Sequence, residues 1–179
     1  MTVALVRHGR TAWNLARLMQ GRSDVPLDAH GRAQASAAAD LLSRAQWHRI
    51  VSSPLARASE TAELIADRLD GVDLVRDERF VERDYGEAEG MPVCEAHERW
   101  PDADYPDAEP MDRVIRRAIR ALADAERGGA DCIIVSHGTL LRAAVEELTG
   151  SPCPRILNGQ VVLLERDAAR RLTGRILSE

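Results

Sequence analysis

Three short apolar runs in this chain stop in the same manner. Thr2 to Val6 halts at Arg7-His8-Gly9, Arg49 to Ser52 halts at Ser53-Pro54, and Asp131 to Ser136 halts at His137-Gly138. Each run is bounded by turn residues, as a buried strand is. Helical patterns lie between them. Residues 32–44 predict a helix. Leu55, Ala58, Ala62, Ile65 and Leu69 recur at helical spacing after Ser53-Pro54, with Ser53 expected as the cap and Pro54 as the first helical residue. Val72 to Val75 predicts a third strand. Met111, Ile115, Ala118, Leu122 and Ala125 mark one face of a helix that Gly128-Gly129 ends. A helix over 139–149 follows, then a hairpin of 160–166 and 171–177. Residues 86–110, containing PDADYPDAEP, read as irregular. Strands alternating with helices imply a layered α/β fold with a mostly parallel sheet.

The bulk numbers narrow the function. A length of 179 residues, 45% hydrophobic, suits one domain, and residues 1–179 are read as that unit, with 91–110 a surface excursion near the active site. The formal net charge of −5 argues against a nucleic-acid surface. All 24 basic residues are arginine, the residue that grips phosphate with two prongs. Cys94, Cys132 and Cys153 form no metal or redox motif, which fits a reducing cytoplasm. The apolar run before Arg7 is too short for a signal peptide, and no stretch is long enough to cross a membrane.

The strand ends collect chemistry. In open α/β sheets, ligands sit outside the carboxyl ends of the strands. If the three strands are neighbours, Arg7, His8, Arg57 and His137 meet beside helix N-termini, whose free N–H groups favour an anion. Two arginines, two histidines and helix starts describe a phosphate site. His8 is then placed to attack phosphorus, provided its attacking nitrogen is bare and its other nitrogen donates to an acceptor. Gly9 is the candidate for that carbonyl, on the ground that glycine tolerates unusual backbone angles. A leaving oxygen also needs a proton, for which composition leaves Glu82, Asp84, Glu87 and Glu89 open.

Taken in order, the motifs resemble the histidine phosphatase superfamily, the phosphoglycerate-mutase-like group. They are Arg7-His8-Gly9 with Thr11, Trp13 and Asn14; Gly21 to Leu27; Gly31 with Gln34-Ala35; Ser52 to Ala58 with Glu60-Thr61-Ala62; Glu82 with Tyr85-Gly86 and Glu89-Gly90; and Val135 to Gly138. The resemblance implies a three-layer α/β/α sandwich and a phosphohistidine formed on His8. It implies that Arg7, Arg57 and His137 bind phosphoryl oxygens, and it selects Glu82 as acid and then base. Asn14 and Gly138 would border the phosphate, and Arg22 would help hold the substrate. No metal or other cofactor is expected, because arginines and His137 supply the positive charge. The expected partner is a small phosphorylated metabolite, with neither nucleic acid nor membrane; a homodimer through the terminal hairpin is open. The short chain favours a phosphatase over a phosphoglycerate mutase, which needs a larger cover to exclude water. A non-catalytic phospho-ligand module is the third reading.

Other residues read more plainly. His30, His48 and His97 are expected at the surface. Arg83, Arg116, Arg117, Arg120, Arg170 and Arg171, and the acidic 102–109 stretch, are expected as solvated faces. Cys132 is expected to be buried. Trp13 is either core or pocket wall. Ala88, where many members of the group carry a bulky residue, implies an open pocket rim.

Overall fold

The run before Arg7 forms strand β1 (Val3–Arg7), and it is buried on both faces. In the computed structural model, Val3 and Leu5 point into one apolar cluster, while Ala4 and Val6 point into another. That is the period of two expected of a strand covered on both sides. Burial of side chains such as Leu5 and Val6 stabilises by about 1.5–3 kcal/mol each. The structure describes residues 2–127, 129, 131–166, 169 and 171–177. The expectations placed on Gly128 and Arg170 lie outside the described residues.

Six strands form one sheet. They are β1, β2 (Arg49–Ser52), β3 (Asp73–Arg76), β4 (Cys132–Ser136), β5 (Val161–Arg166) and β6 (Leu172–Ile176), in the order β3-β2-β4-β1-β5-β6. The β3-β2, β2-β4 and β4-β1 pairs are parallel; β5 and β6 add antiparallel pairs as the expected hairpin. Helices α2 (Ala29–Leu42) and α3 (Ala56–Ala66) cover one face. Helices α5 (Met111–Glu126) and α6 (Gly138–Thr149) cover the other. The mixed sheet between helical layers is the expected three-layer α/β/α sandwich. A short α1 (Ala12–Leu15) and α4 (Val93–Arg99) lie beside this frame.

Several expectations need correction. Helix α2 starts three residues early because the Asp28 carboxylate accepts from Gly31 N–H at 2.7 Å, a side-chain cap. Helix α3 starts at Ala56, not at Pro54, and Ser53 does not cap it. The buried stripe of α5 runs through Val114, Ala118, Ala121, Leu122 and Ala125, leaving Met111 and Ile115 only partly covered. Residues 86–110 are less irregular than expected. They hold a 3-10 turn (Gly86–Ala88) and α4, and they build a satellite cluster of Met19, Tyr85, Ala88, Ala96 and Tyr105. Ala88 is fully buried there, so it does not open the pocket rim.

Two arginines expected in solvent are structural. Arg83 is buried, lies 5.7 and 5.3 Å from the Tyr85 and Tyr105 rings, and donates to the Glu109 carbonyl at 2.8 Å. Arg117 grips both Glu109 carboxylate oxygens at 2.8 Å, so the acidic stretch ends in a buried ion pair rather than a solvated face. Desolvation tends to raise the Glu109 pKa, but its bonds to Arg117 outweigh that and hold it below the usual carboxylate value. Arg116, Arg120, Arg171, His30, His48 and His97 are exposed, and Cys132 is buried, as expected. Burial pushes the Cys132 thiol up to about 11. No helix among the described residues is long and apolar enough to cross a membrane.

Candidate active site

Because β2, β4 and β1 are consecutive in the sheet and parallel, their carboxyl ends are adjacent. Three separate sequence motifs thereby meet. The Arg7 position pairs with Ser136, His8 N–H donates to the Ser136 carbonyl at 3.0 Å, and Ser53 N–H donates to Val135 at 2.9 Å. The His8 and His137 rings lie 5.1 Å apart, and both residues are buried.

The His8 ring is fixed at both nitrogens. Nδ1 lies 2.7 Å from the Gly9 carbonyl, which can only accept, so Nδ1 carries the proton. Nε2 is then bare, and Arg57 Nε donates to it at 3.3 Å. Burial lowers the His8 pKa well below 6.5, and the Arg57 and Arg7 charges lower it further. Gly9 is needed for a different reason from the one expected. A Cβ there would lie 2.2 Å from the Gly31 carbonyl, and one on Gly31 would lie 2.1 Å from the Arg10 carbonyl. The Arg-His-Gly turn and the start of α2 touch backbone to backbone, which only paired glycines allow.

Arg57 is completely buried in the first turn of α3. It donates to the Gly21 and Ser23 carbonyls at 2.7 and 2.9 Å. The Thr61 hydroxyl donates to the Arg57 carbonyl at 2.7 Å and accepts from Gly9 N–H at 3.1 Å, tying α3 to the turn after β1. Desolvation pushes Arg57 down to about 10, opposed by Glu82, Asp24 and Glu89, so it stays charged near neutrality. Arg7 donates to the Ile156 carbonyl at 2.8 Å, while its buried Nε has no partner among the described residues. Gly138, at the start of α6, packs so closely that a Cβ there would lie 3.2 Å from the Arg7 guanidinium.

His137 is wholly buried, and desolvation followed by the Arg57 charge holds its pKa well below 6.5. Its Nε2 lies 2.8 Å from Ser53 Oγ, and its buried Nδ1 has no partner. Ser53 Oγ also accepts from Leu55 N–H at 3.3 Å; when its hydroxyl donates to Nε2, the ring proton lies on Nδ1.

Glu82 sits on the first turn of α6. Its carboxylate accepts from Thr139, Leu140 and Arg83 N–H at 3.0, 3.1 and 2.9 Å. Arg117 reaches across from α5 to the Arg79, Val81 and Glu82 carbonyls and so fixes the segment that carries it. Of the other three acids weighed for that role, Asp84 caps Gly86 N–H, Glu87 lies in the 3-10 turn (Gly86–Ala88), and Glu89 accepts from Ser23 N–H on the far side of Arg57.

The structure brings Arg7, His8, Arg57, His137, Glu82 and Gly138 together. Asn14 joins through a hydrogen-bond chain. Arg22 does not: its half-exposed guanidinium lies 3.8 Å from Asp84 and 3.6 Å from Glu109. Sequence reasoning missed Gln20, Ser53 and Asn158. Gln20 Oε1 accepts from Thr11 Oγ1 and Asn14 Nδ2, which leaves its buried Nε2 as a donor with no partner. Among the described residues, no group of three or more His, Cys, Asp or Glu is arranged to hold a metal ion. Two surface clefts, of about 190 and 600 Å³, lie elsewhere, one against α5 and the other between α6 and the terminal hairpin.

A histidine with one bare nitrogen, a buried and a partly buried arginine and a helix-capping carboxylate at the ends of parallel strands define a phosphoryl-transfer enzyme of the phosphohistidine type. The chain belongs to the histidine phosphatase superfamily (branch 1), whose sequence model matches residues 3–171. It is 41% identical over 150 residues to the uncharacterized phosphatase PhoE of Bacillus subtilis, covering 83% of this chain and 77% of that protein. It is 36% identical over 165 residues to a probable phosphoglycerate mutase GpmB of Enterobacter, covering 85% and 76%. Among solved structures, Bacillus stearothermophilus YhfR superposes with a TM-score of 0.86 at 27% identity, over 98% of this chain and 95% of that one. A mycobacterial glucosyl-3-phosphoglycerate phosphatase complexed with VO3 gives 0.85 at 25% identity, over 99% and 98%.

Proposed function

We propose that this enzyme is a metal-independent phosphomonoesterase acting on a small phosphorylated metabolite through His8. The lone pair on Nε2 attacks phosphorus as the bond to the leaving oxygen breaks, and Glu82 gives that oxygen its proton. Water, deprotonated by Glu82, then attacks the phosphohistidine, releasing phosphate and the free imidazole. Arg7, Arg57, His137 and the α6 N-terminus at Gly138 stabilise the charge on the transferred oxygens. Asn14 borders the phosphate; Arg22, held at the surface by Asp84 and Glu109, takes no part in holding the phosphoryl group. Residues 1–179 act as one catalytic unit.

The observation that carries this reading is a fully buried Arg57 and a partly buried Arg7 beside a neutral, bare-nitrogen histidine. Among the described residues, neither guanidinium has a carboxylate within ion-pair distance, and such shielded positive charge calls for an anion. Three free cysteines agree with a reducing, cytoplasmic setting. The sheet ends at β6, whose edge supports a homodimer; a monomer in sedimentation at working concentrations would count against it.

The test is turnover of p-nitrophenyl phosphate and a panel of phosphorylated metabolites, with and without EDTA. Activity should survive EDTA, and His8→Ala should abolish it. Normal turnover by His8→Ala, or strict need for added metal, would end the proposal. The GpmB relatives support a second reading as a mutase. Phosphorus NMR on 3-phosphoglycerate separates isomerisation from release of free phosphate.

A further inference from the structure

The turn entering β5 crosses the end of β1 and is tied to it by backbone bonds. Arg7 N–H donates to the Gln160 carbonyl at 3.1 Å, and Gly159 N–H donates to the Arg7 and His8 carbonyls at 2.9 and 3.2 Å. Asn158 stands on this rigid turn, 150 residues from His8 in sequence. Its Nδ2 donates to the His8 carbonyl at 3.1 Å, to Asn14 Oδ1 at 3.0 Å and, more weakly, to the Gly9 carbonyl at 3.4 Å.

The direction of these amides is forced. Thr11 N–H can only donate, and it donates to Asn14 Oδ1 at 3.2 Å. Asn14 Nδ2 must then donate to Gln20 Oε1, at 3.0 Å, and Gln20 Nε2 is left as a free donor. At the other end, two carbonyls and Asn14 Oδ1 can only accept, so Asn158 must present its NH2. One side chain therefore holds the carbonyl that receives the His8 Nδ1 proton and also anchors the amide chain beside it. We propose that Asn158 is a positioning residue: it holds the His8 and Gly9 carbonyls in the turn that orients the His8 ring, and it anchors the Asn14 amide whose direction Thr11 N–H sets. This inference rests on the assignment of His8 as nucleophile. It adds a residue outside the motifs that led to that assignment.

The test compares Asn158→Ala, Asn158→Asp and Asn158→Ser. Aspartate keeps the shape but sets an acceptor against three acceptors; serine keeps one small donor. Outer-shell orienting groups change activity by roughly 10–100-fold, and kcat/KM should fall by about that range in Ala and Asp, less in Ser, with most of the loss in kcat. The second readout is the His8 Nδ1 proton in NMR, identified by its absence in His8→Ala. It should shift upfield or vanish through exchange in Ala and Asp, and stay near its original position in Ser. Folded Ala and Asp variants with an unmoved ring proton and kcat/KM within twofold of the parent would overturn the proposal. Failure of all three to fold would overturn it too, in favour of a structural role. An active His8→Ala enzyme would sink the underlying mechanism; an inactive His8→Ala beside normal Asn158 variants sinks only this inference.

Discussion

His8 reverses the ordinary behaviour of a surface histidine. An exposed imidazole gains its proton as pH falls through about 6.5, whereas burial and the Arg57 and Arg7 charges hold this one neutral to well below that value. Nucleophilic attack needs the bare ring, so kcat/KM should show no acid limb near 6.5, and its fall should begin at markedly lower pH. A limb at 6.5 in a profile taken with a weakly titrating substrate would contradict the buried, neutral His8. Glu82 makes a separate claim. Glu82→Gln keeps an acceptor for only one of the two α6 N–H groups, Thr139 or Leu140, and has no proton to give; substrates with poor leaving groups should slow by about 10²–10⁴-fold and p-nitrophenyl phosphate by far less. Equal losses for both would assign Glu82 to anchoring α6 rather than to proton transfer. At this scale much was legible, because Arg7, His8, Arg57 and His137 lie at strand ends that announce themselves. The polar atoms left without a partner among the described residues, Arg7 Nε, His137 Nδ1 and Gln20 Nε2, were not legible, because that depends on what every neighbouring group already holds.

Elements bring those residues together through contacts that leave little trace in local sequence. The alternation of strand and helix was readable from hydrophobic period, and so were β1, β2 and β4, which are apolar on both faces. Helix starts were less readable. Ser53-Pro54 has the composition of a cap but lies in the turn before α3, with Ser53 turned to His137. Asp28 does cap, yet Ala29-His30-Gly31-Arg32 after it carries no apolar period that advertises a helix. Arg83, Arg117 and Glu109 read as solvent charges because their partners come from distant segments. The Gly9–Gly31 contact gives a prediction whose sign separates local from tertiary effects. By propensity alone, Gly31→Ala in α2 should stabilise by up to about 1 kcal/mol. The backbone contact predicts the opposite, since forced overpacking costs about 1–3 kcal/mol and a Cβ would meet the Arg10 carbonyl at 2.1 Å. Urea unfolding should show a loss of about 1–2 kcal/mol net, and kcat should fall as the Arg-His-Gly turn shifts. A stabilised, fully active variant would show that α2 and the turn can separate without harm.

Across the whole molecule, a chain of net charge −5 gathers two arginines and two histidines at its strand ends, answered only in part by Glu82. Folding must therefore bury two imidazoles in neutral form, and this couples stability to pH. In the unfolded chain His8 and His137 titrate near about 6.5; in the folded chain both lie well below, first through desolvation and then through the arginine charges. Between those values the unfolded state binds more protons, so acid favours unfolding. The full stability is present above about 6.5 and is lost as pH falls, by up to about 1.4 kcal/mol per pH unit for each histidine. Two such groups matter against a total of about 5–15 kcal/mol. Asp28, Asp77 and Glu109 also have lowered pKa values, but carboxylates act only at more acid pH, so the 5–6.5 window belongs to the histidines. Denaturant midpoints across pH 5–8 should fall on the acid side of 6.5. His8→Gln and His137→Gln should each remove close to half of that slope, whatever they do to stability at pH 8. A parent slope that both variants keep would mean that the rings take up protons in the folded state. They would then not be the neutral, cation-flanked pair on which phosphoryl transfer depends.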